Sequence, residues 1–255
     1  AFAPMPTDLC RVSPFFPMST NDMAKRDYIE DMPITTSSWG GITYTGPRLS
    51  TYEEDVLLAV LALLNKAENK HVTMLDGVPT YTYRGPLRPV LKMMGYDKTG
   101  SHDYKRILLA LKRMQATSIE MQIKGRNSRG KSVVRKVIMN NMIPNAVWDD
   151  EEKELRVTIN PYFYELYLKN AVTLIDMQTR SKLRSPVAKS LMRFVESHAG
   201  DLWQGHILTL ATALNMDRDQ PLYELRRVVR TAITSLIKAG ALVVGSQVDG
   251  DIVTL

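Results

Sequence analysis

The chain has 255 residues, 44% of them hydrophobic, which is enough to bury one large core or two modest ones. Its formal net charge of +6 is a mild basic excess that allows a polyanionic partner without requiring one. The single cysteine, Cys10, excludes a disulfide framework and a cysteine-ligated zinc site, and no apolar run approaches the roughly 18 residues of a membrane span, so we expect a cytoplasmic protein without membrane contact.

Residues 1–33 are predicted to form a flexible N-terminal arm. Prolines interrupt every window of this stretch, and no helical or strand period lasts. The apolar pair Phe15-Phe16 has two interpretations. It packs the arm onto the first domain, or it is a short linear motif that docks on a partner.

The first domain is expected to span residues 34–147 and to be organised around a buried helix. Ser50 and Glu53 match the N-cap and N3 positions of a capping box. The helix that this box opens is nearly all apolar after Asp55 and is predicted to run to about Lys66, which indicates a central, buried position.

Two helices and a hairpin are predicted to complete this domain. Pro86–Met94 has the pattern of a short helix, and Ser101 to about Met114 that of an amphipathic one, followed by two strands that form a hairpin. Basic residues occupy one side of the amphipathic helix: Lys105, Arg106, Lys112 and Arg113. Four more cations lie in and around the hairpin turn: Lys124, Arg126, Arg129 and Lys131.

The second domain is expected to span residues 148–255. It begins with the acidic run Asp149–Glu154, which we interpret as a solvated linker between the domains. Ser185-Pro186 is typical of a helix start and predicts a helix to about Ala199, and Ile207–Met216 predicts a short helix.

The strongest pattern in the chain is its last helix with the hairpin that follows. Apolar residues from Leu222 to Ile237 recur at helical spacing, and Gly240 ends the helix. Polar and basic residues lie opposite the apolar face: Tyr223, Arg226, Arg227, Arg230 and Thr234. Two β-rich runs follow, Leu242–Val244 and Ile252–Leu255. Joined by a polar turn with Asp249-Gly250, they predict a small hairpin.

The two halves repeat the same order of a long helix, a strand, a short helix, a basic helix and a hairpin. Leu91 and Leu214 are 123 positions apart, and Leu108 and Ile233 are 125 apart, a near-constant offset that indicates a duplicated unit. We therefore predict an α+β, mostly helical fold of two tandem winged-helix domains with an N-terminal arm.

A winged helix places its basic helix in the major groove of DNA and its hairpin on the adjacent backbone. Arginine can pair with two acceptors on guanine, whereas lysine mainly neutralises phosphate. The paired basic helices and hairpins therefore predict sequence-specific binding of double-stranded DNA.

A competing hypothesis is a P-loop ATPase, because Gly125–Ser132 fits the pattern GxxxxGK[ST], with Lys131 placed to hold a terminal phosphate. The run Ala171–Asp176 resembles a magnesium-binding strand. The strand before the motif alternates in polarity, however, and the segment after it favours a strand, whereas a P-loop needs a buried parallel strand and a helix.

No residue pattern indicates catalysis. The four histidines, His71, His102, His198 and His206, are scattered without metal-ligand spacing, and no nucleophile elbow is present. We expect no enzyme activity, no metal and no cofactor.

Five stretches of the sequence match one known family: Ile42–Gly46, the helix from Asp55, Leu111–Thr117, Leu183–Ala188 and Gly240–Leu255. Through them the chain resembles the TrfA-type replication initiators of broad-host-range plasmids. The resemblance is spread over many short matches across roughly residues 40–255.

This resemblance implies a bacterial initiator that binds tandem origin repeats (iterons) and recruits the host initiator, the replicative helicase and the sliding clamp. Dimers of such proteins are usually inactive or autorepressing, so a homodimer is a further expected partner. The Gln-Leu-x-Leu-Phe type of clamp-docking peptide has no clear match here. By position, DNA contacts are expected from Lys105, Arg106, Lys112 and Arg113 in the first domain and from Arg226, Arg227 and Arg230 in the second, together with the hairpin cations, Arg184, Tyr223 and Thr234. A transcriptional repressor with the same fold remains an alternative.

Overall fold

The computed structural model describes residues 1–11, 13–36, 40–64, 70–75, 78–161, 172–198 and 202–255. The described helices are α1 (Thr7–Arg11), α2 (Thr20–Ala24), α3 (Thr51–Leu64), α4 (Leu87–Met93), α5 (Ser101–Gln115), α6 (Met177–Lys182), α7 (Pro186–Glu196), α8 (Ile207–Ala213) and α9 (Leu222–Ala239). Among these helices, none combines the length and the apolarity that a membrane span needs.

The strands are β1 (Phe2–Pro6), β2 (Phe15–Phe16), β3 (Tyr28–Thr36), β4 (Gly40–Pro47), β5 (Leu49–Ser50), β6 (Lys70–Leu75), β7 (Val78–Gly85), β8 (Ser118–Arg126), β9 (Ser132–Asn141), β10 (Asn145–Asp149), β11 (Glu154–Thr158), β12 (Val172–Asp176), β13 (Gln204–His206), β14 (Gln247–Asp249) and β15 (Ile252–Thr254). They pair in the orders β3-β4-β8-β9, β10-β11-β7-β6, β13-β15-β14, β1-β12 and β2-β5. Helix and strand are mixed, as the α+β prediction requires, but the strand content makes "mostly helical" only a loose fit.

The N-terminal stretch differs from the arm that the prolines predicted. β1 pairs antiparallel with β12 in a two-stranded sheet, and its Met5 is completely buried. Proline is tolerated in a strand at a sheet edge, which is why Pro4 and Pro6 do not prevent this pairing. Phe15 is fully buried in β2, which pairs with β5 beside α3, so the apolar pair packs this stretch onto the first half.

α3 is the centre of the first half, as its sequence predicted. One half of its capping box forms, because the backbone N–H of Ser50 donates to Glu53 Oε2 at 2.8 Å. Ser50 Oγ caps the helix by accepting the N–H of Tyr52, the N2 residue, at 3.2 Å. Every described side chain from Glu53 to Leu64 is buried. α4, α5 and the sheets that contain β7 and β8 pack around it.

The acidic run 149–154 is the turn of the β10–β11 hairpin rather than a linker. The Asp149 carboxylate accepts the backbone N–H groups of Glu151 and Glu152 and so shapes the turn. β11 then pairs with β7, and its Leu155 and Val157 are fully buried. The buried cluster around α3 extends to Met177, and a second cluster begins at Leu183.

The second half is a smaller unit built on α7, α8 and α9. Their apolar faces form one cluster that Val248 and Val253 of the β14–β15 hairpin complete. β13 pairs with β15 on the side opposite β14. The prediction of Leu242–Val244 as the first strand of the hairpin is wrong, because the strand that pairs with β15 is Gln247–Asp249. Gly240 ends α9 with a positive φ of 77°, as the sequence predicted, because a left-handed residue there favours glycine.

A buried ionic cluster on α3 joins the two halves, and we call it the carboxylate cluster. Its acidic members are the consecutive residues Glu53, Glu54 and Asp55. Glu54 accepts Arg180 Nη2 at 2.9 Å and Arg193 Nη1 at 2.7 Å, and these three side chains are at most 1% exposed.

The other two carboxylates pair with cations from different parts of the chain. Asp55 accepts Arg180 Nε of α6 at 2.7 Å and also Lys189 of α7. Glu53 accepts Arg26 at 3.0 Å from the N-terminal stretch and Arg113 at 2.9 Å from α5. One turn of one helix therefore holds the N-terminal stretch, α5, α6 and α7.

The carboxylate cluster predicts a large cost for removing one charge. In Glu54→Gln, Arg180 and Arg193 stay buried with one fewer countercharge, so we expect the free energy of unfolding at pH 7 to fall by about 3–5 kcal/mol in urea titrations. Glu151→Gln, in the exposed β10–β11 turn, is the control and should leave the urea midpoint unchanged. Equal midpoints for the two variants would contradict this role.

The difference in unfolding free energy between the wild type and Glu54→Gln should depend on pH in one direction. Burial alone would raise the pKa of Glu54, but the charges of Arg180 and Arg193 outweigh it and lower the pKa. The stabilisation by this carboxylate is thus present above its unfolded-state pKa and lost as pH falls through the lower folded-state pKa. The gap between the wild type and Glu54→Gln should therefore narrow toward acid pH.

Candidate nucleic-acid interface

The face of α9 that turns away from the core carries a polar and basic stripe. Tyr223 is 69% exposed, and the Arg227 side chain is 67% exposed. Arg230 and Thr234 are also exposed and follow at spacings of three and four residues, which aligns all four on one face. These are four of the residues that the sequence predicted, and the structure brings them together.

Arg226 behaves differently from its neighbours. Its side chain is 30% exposed, and its Nε and Nη2 donate to Asp251 Oδ1 in the β14–β15 turn at 2.9 and 2.7 Å. Arg230 Nη2 also donates to the backbone carbonyl of Val248, at 3.3 Å. The two arginines brace the hairpin against α9, whereas the only ion pair of Arg227 within the described residues is with Glu224 of its own helix.

The hairpin of the second half is acidic. Between Gln247 and Thr254 it contains Asp249 and Asp251 and neither lysine nor arginine. Carboxylates repel phosphate, so this hairpin is suited to positioning α9 rather than to neutralising a nucleic-acid backbone.

The four basic residues of α5 do not form one surface, contrary to the prediction. Lys105 and Lys112 are exposed and share a face with His102 and with Leu109, which is 46% exposed. Arg106 and Arg113 turn toward α3. The Arg106 guanidinium lies 4.4 Å from the Tyr52 ring centroid, and Arg113 belongs to the carboxylate cluster. A spacing of seven residues placed the members of each pair on the same face of the helix. It could not show that Arg106 and Arg113 are engaged in contacts with α3.

The β8–β9 hairpin is long and basic. Arg126, Arg129 and Lys131 are exposed, and Lys124 is half-buried. Sequence reasoning missed Arg135 on β9, whose guanidinium donates to the Arg126 carbonyl and lies where a side chain at Gly125 would be, 2.4 Å from an added Cβ. The pairing shifts register beside this residue, so strand alternation alone could not place it.

The P-loop hypothesis does not fit the backbone. Residues 125–132 cover the end of β8, the turn 127–131 and the first residue of β9, which pairs antiparallel with β8. A strand, not a helix, therefore follows Lys131. The Asn127 carboxamide oxygen accepts the backbone N–H groups of Arg129 and Lys131 at 3.0 Å each, which closes the turn on itself. Asp176, the residue resembling a magnesium ligand, caps α6 and accepts Thr179 Oγ1 at 2.6 Å.

The histidines have separate positions in the fold. His206 caps α8, its Nδ1 accepting the N–H of Leu208 at 3.1 Å, and His198 Nδ1 lies 2.9 Å from the Phe194 carbonyl oxygen. His71 and His102 are exposed on different elements. Within the described ranges, no group of three or more His, Cys, Asp or Glu side chains could hold a metal ion.

Comparison with solved structures identifies the fold. A crystal structure of domains 2 and 3 of RctB superposes with a TM-score of 0.61 at 12% identity, covering 98% of this chain and 97% of that chain. A second structure of the same RctB domains gives a TM-score of 0.55 at 12% identity, covering 91% of this chain and 82% of that one. The chain therefore has the fold of these two RctB domains.

The sequence identifies the family. The model of the replication initiator protein A family matches residues 9–236, which is most of the chain, so the protein belongs to that family. No curated protein sequence matches the chain.

The different roles of Arg226 and Arg227 can be separated by stability measurements. Arg226→Ala breaks the pair that holds the hairpin on α9 and should lower the free energy of unfolding by about 1 kcal/mol. Arg227→Ala is the matched control on the same helix and should leave it unchanged. Equal losses for the two variants in urea titrations would contradict the bracing role of Arg226.

Proposed function

We propose that the protein is a sequence-specific, double-stranded DNA-binding initiator of plasmid replication that binds origin repeats through two winged helices. Membership of the replication initiator protein A family supports the role in replication initiation. The observation that carries the DNA contact is the exposed stripe of Tyr223, Arg227, Arg230 and Thr234 on a helix braced by its own hairpin.

The element order supports two winged helices. In the second half, α7, β13, α8, α9 and the β14–β15 hairpin follow one another, and β13 joins the hairpin in a three-stranded sheet. The first half has the same order from α3 to β9, with the β6–β7 hairpin in place of the single strand. In such a unit the last helix lies at the major groove, so we expect α9 and α5 to be the helices nearest the DNA.

We propose that the two units contribute differently to binding. α9 presents an arginine stripe beside an acidic hairpin, which suits hydrogen bonding to base edges. The first unit presents Lys105 and Lys112 on α5 and the exposed cations of the β8–β9 turn, which suit phosphate neutralisation. Sequence specificity then comes mainly from α9, and the first unit supplies much of the salt-dependent affinity.

The remaining partners follow from the resemblance to TrfA-type initiators. Iteron repeats as the target, recruitment of the host initiator, helicase and sliding clamp, a homodimer and a bacterial cytoplasmic location are proposals on that basis. Burial of Phe15 argues against a clamp-docking motif at residues 12–16 in this fold. A repressor using the same surface would bind DNA equally well, so plasmid maintenance that depends on the origin is the assay that separates the two functions.

The division between the units predicts two kinds of binding defect. The DNA that flanks the coding region of this protein is the specific duplex, and a scrambled duplex is the non-specific one. Arg227→Ala should weaken specific binding by about 10-fold and non-specific binding much less, because a base-edge contact is lost. Arg129→Ala should weaken both and lower the slope of log affinity against log salt by about one.

Lys153→Ala, in the β10–β11 turn, is the control for both variants because it removes the same charge outside the proposed interface. Its affinity and salt slope should match the wild type. The proposal fails if Arg227→Ala and Arg129→Ala both match Lys153→Ala on the specific duplex.

A further inference from the structure

A cleft with a volume of about 430 Å³ lies between the two halves. One wall comes from three places: Tyr52 at the start of α3, Tyr96 in the turn that follows α4, and Arg106 on α5. The other wall comes from α6, α7 and the link between them, including Arg184 and Lys189. Asp55 of the carboxylate cluster also lines it.

The charges in this cleft are unbalanced in favour of an anion. Three cations line it, Arg106, Arg184 and Lys189, against the single carboxylate of Asp55. Asp55 is already engaged by Arg180 and Lys189. Neither Arg106 nor Arg184 forms an ion pair with any carboxylate in the described part of the chain, so two guanidinium groups are available to a ligand.

Tyr52 supplies a further donor at the same place. Its ring stacks under the Arg106 guanidinium at 4.4 Å, which fixes the orientation of that group. The Tyr52 hydroxyl is buried and has no hydrogen-bond partner among the described residues. Burial raises the pKa of Tyr52, so the hydroxyl keeps its proton and can donate it. A buried hydroxyl without a partner is costly unless a ligand satisfies it.

The N-terminal end of α7, which lies at the cleft, adds to the positive electrostatic potential there. α7 begins at Pro186, which lines the cleft, and the positive end of its helix dipole therefore faces the same space. The dipole strengthens a site whose specific donors are side chains.

We infer that this cleft binds a phosphate group, with Arg106, Arg184 and the Tyr52 hydroxyl as its donors. Guanidinium groups match phosphate oxygens in a bidentate geometry. Arg106 is half-buried, which strengthens its contact relative to open solvent, whereas Arg184 approaches from the exposed side. The phosphate belongs either to the backbone of bound DNA, in which case the inference rests on the proposed function, or to a free phosphate compound. The chemistry of the site is the same in both cases.

The site can be tested first without DNA. Inorganic phosphate, exchanged for chloride at constant ionic strength, should raise the melting temperature of the full chain by about 2–4 °C at about ten times its dissociation constant. Arg184→Ala and Tyr52→Phe should each reduce this rise. Tyr52→Phe retains the ring under Arg106 and removes only the unpaired hydroxyl, so it should not lower the melting temperature in chloride. Lys153→Ala should keep the full response.

Duplex DNA binding then distinguishes the source of the phosphate. If the source is the DNA backbone, Arg184→Ala lowers the salt slope by about one and Tyr52→Phe weakens binding on specific and scrambled duplexes alike. If the source is a free phosphate compound, both variants bind DNA like the wild type while losing the phosphate response. Either result supports the site.

The inference is overturned if the wild type and both variants respond identically to phosphate and also bind DNA with identical affinity and salt slope. Failure of the proposed function would appear differently, as a wild-type chain that does not bind duplex DNA while its phosphate response, lost in the variants, remains.

Discussion

Three consecutive carboxylates on one buried helix determine how this protein is assembled. α3 is apolar along most of its length, yet its first turns carry Glu53, Glu54 and Asp55 in the interior. Buried carboxylates are tolerated only when they are paired, and here cations from the N-terminal stretch, α5, α6 and α7 pair with them. The start of a helix also favours negative charge. The contact between the two halves therefore depends on charge pairing as well as on apolar burial.

This arrangement divides the basic residues of the chain into two groups. Arg26, Arg113, Arg180 and Arg193 neutralise buried carboxylates, and Arg226 braces a hairpin. Among the described residues, the exposed cations of the α5 face, the β8–β9 turn and the α9 stripe, and the two guanidinium groups in the cleft, pair with no buried carboxylate. The net charge of +6 therefore says little by itself about the interface. What matters is which cations have no buried carboxylate as a partner.

Local patterns in the sequence predicted much of the second half, because capping, helical spacing and glycine stops act over a few residues. Gly240 and the apolar face of α9 are examples. The pairing of β1 with β12 joins segments more than 160 residues apart, as Pro6 with Val172 shows, and no local signal encodes it. The same limit applies to the candidate site. Spacing grouped Arg106 with Lys105, but only the tertiary contact with Tyr52 shows that the two side chains have different surroundings.

If the carboxylate cluster fixes the two proposed DNA-binding units relative to each other, α5 and α9 should lie against one stretch of duplex. Directed cleavage from iron chelates measures this, with the label on His102→Cys of α5 or Thr231→Cys of α9, both exposed, while the native Cys10 is fully buried and should not react. We expect the two labels to cut the same duplex at a constant offset from one bound site to the next. Cleavage from one label only, or an offset that varies between sites, would contradict it.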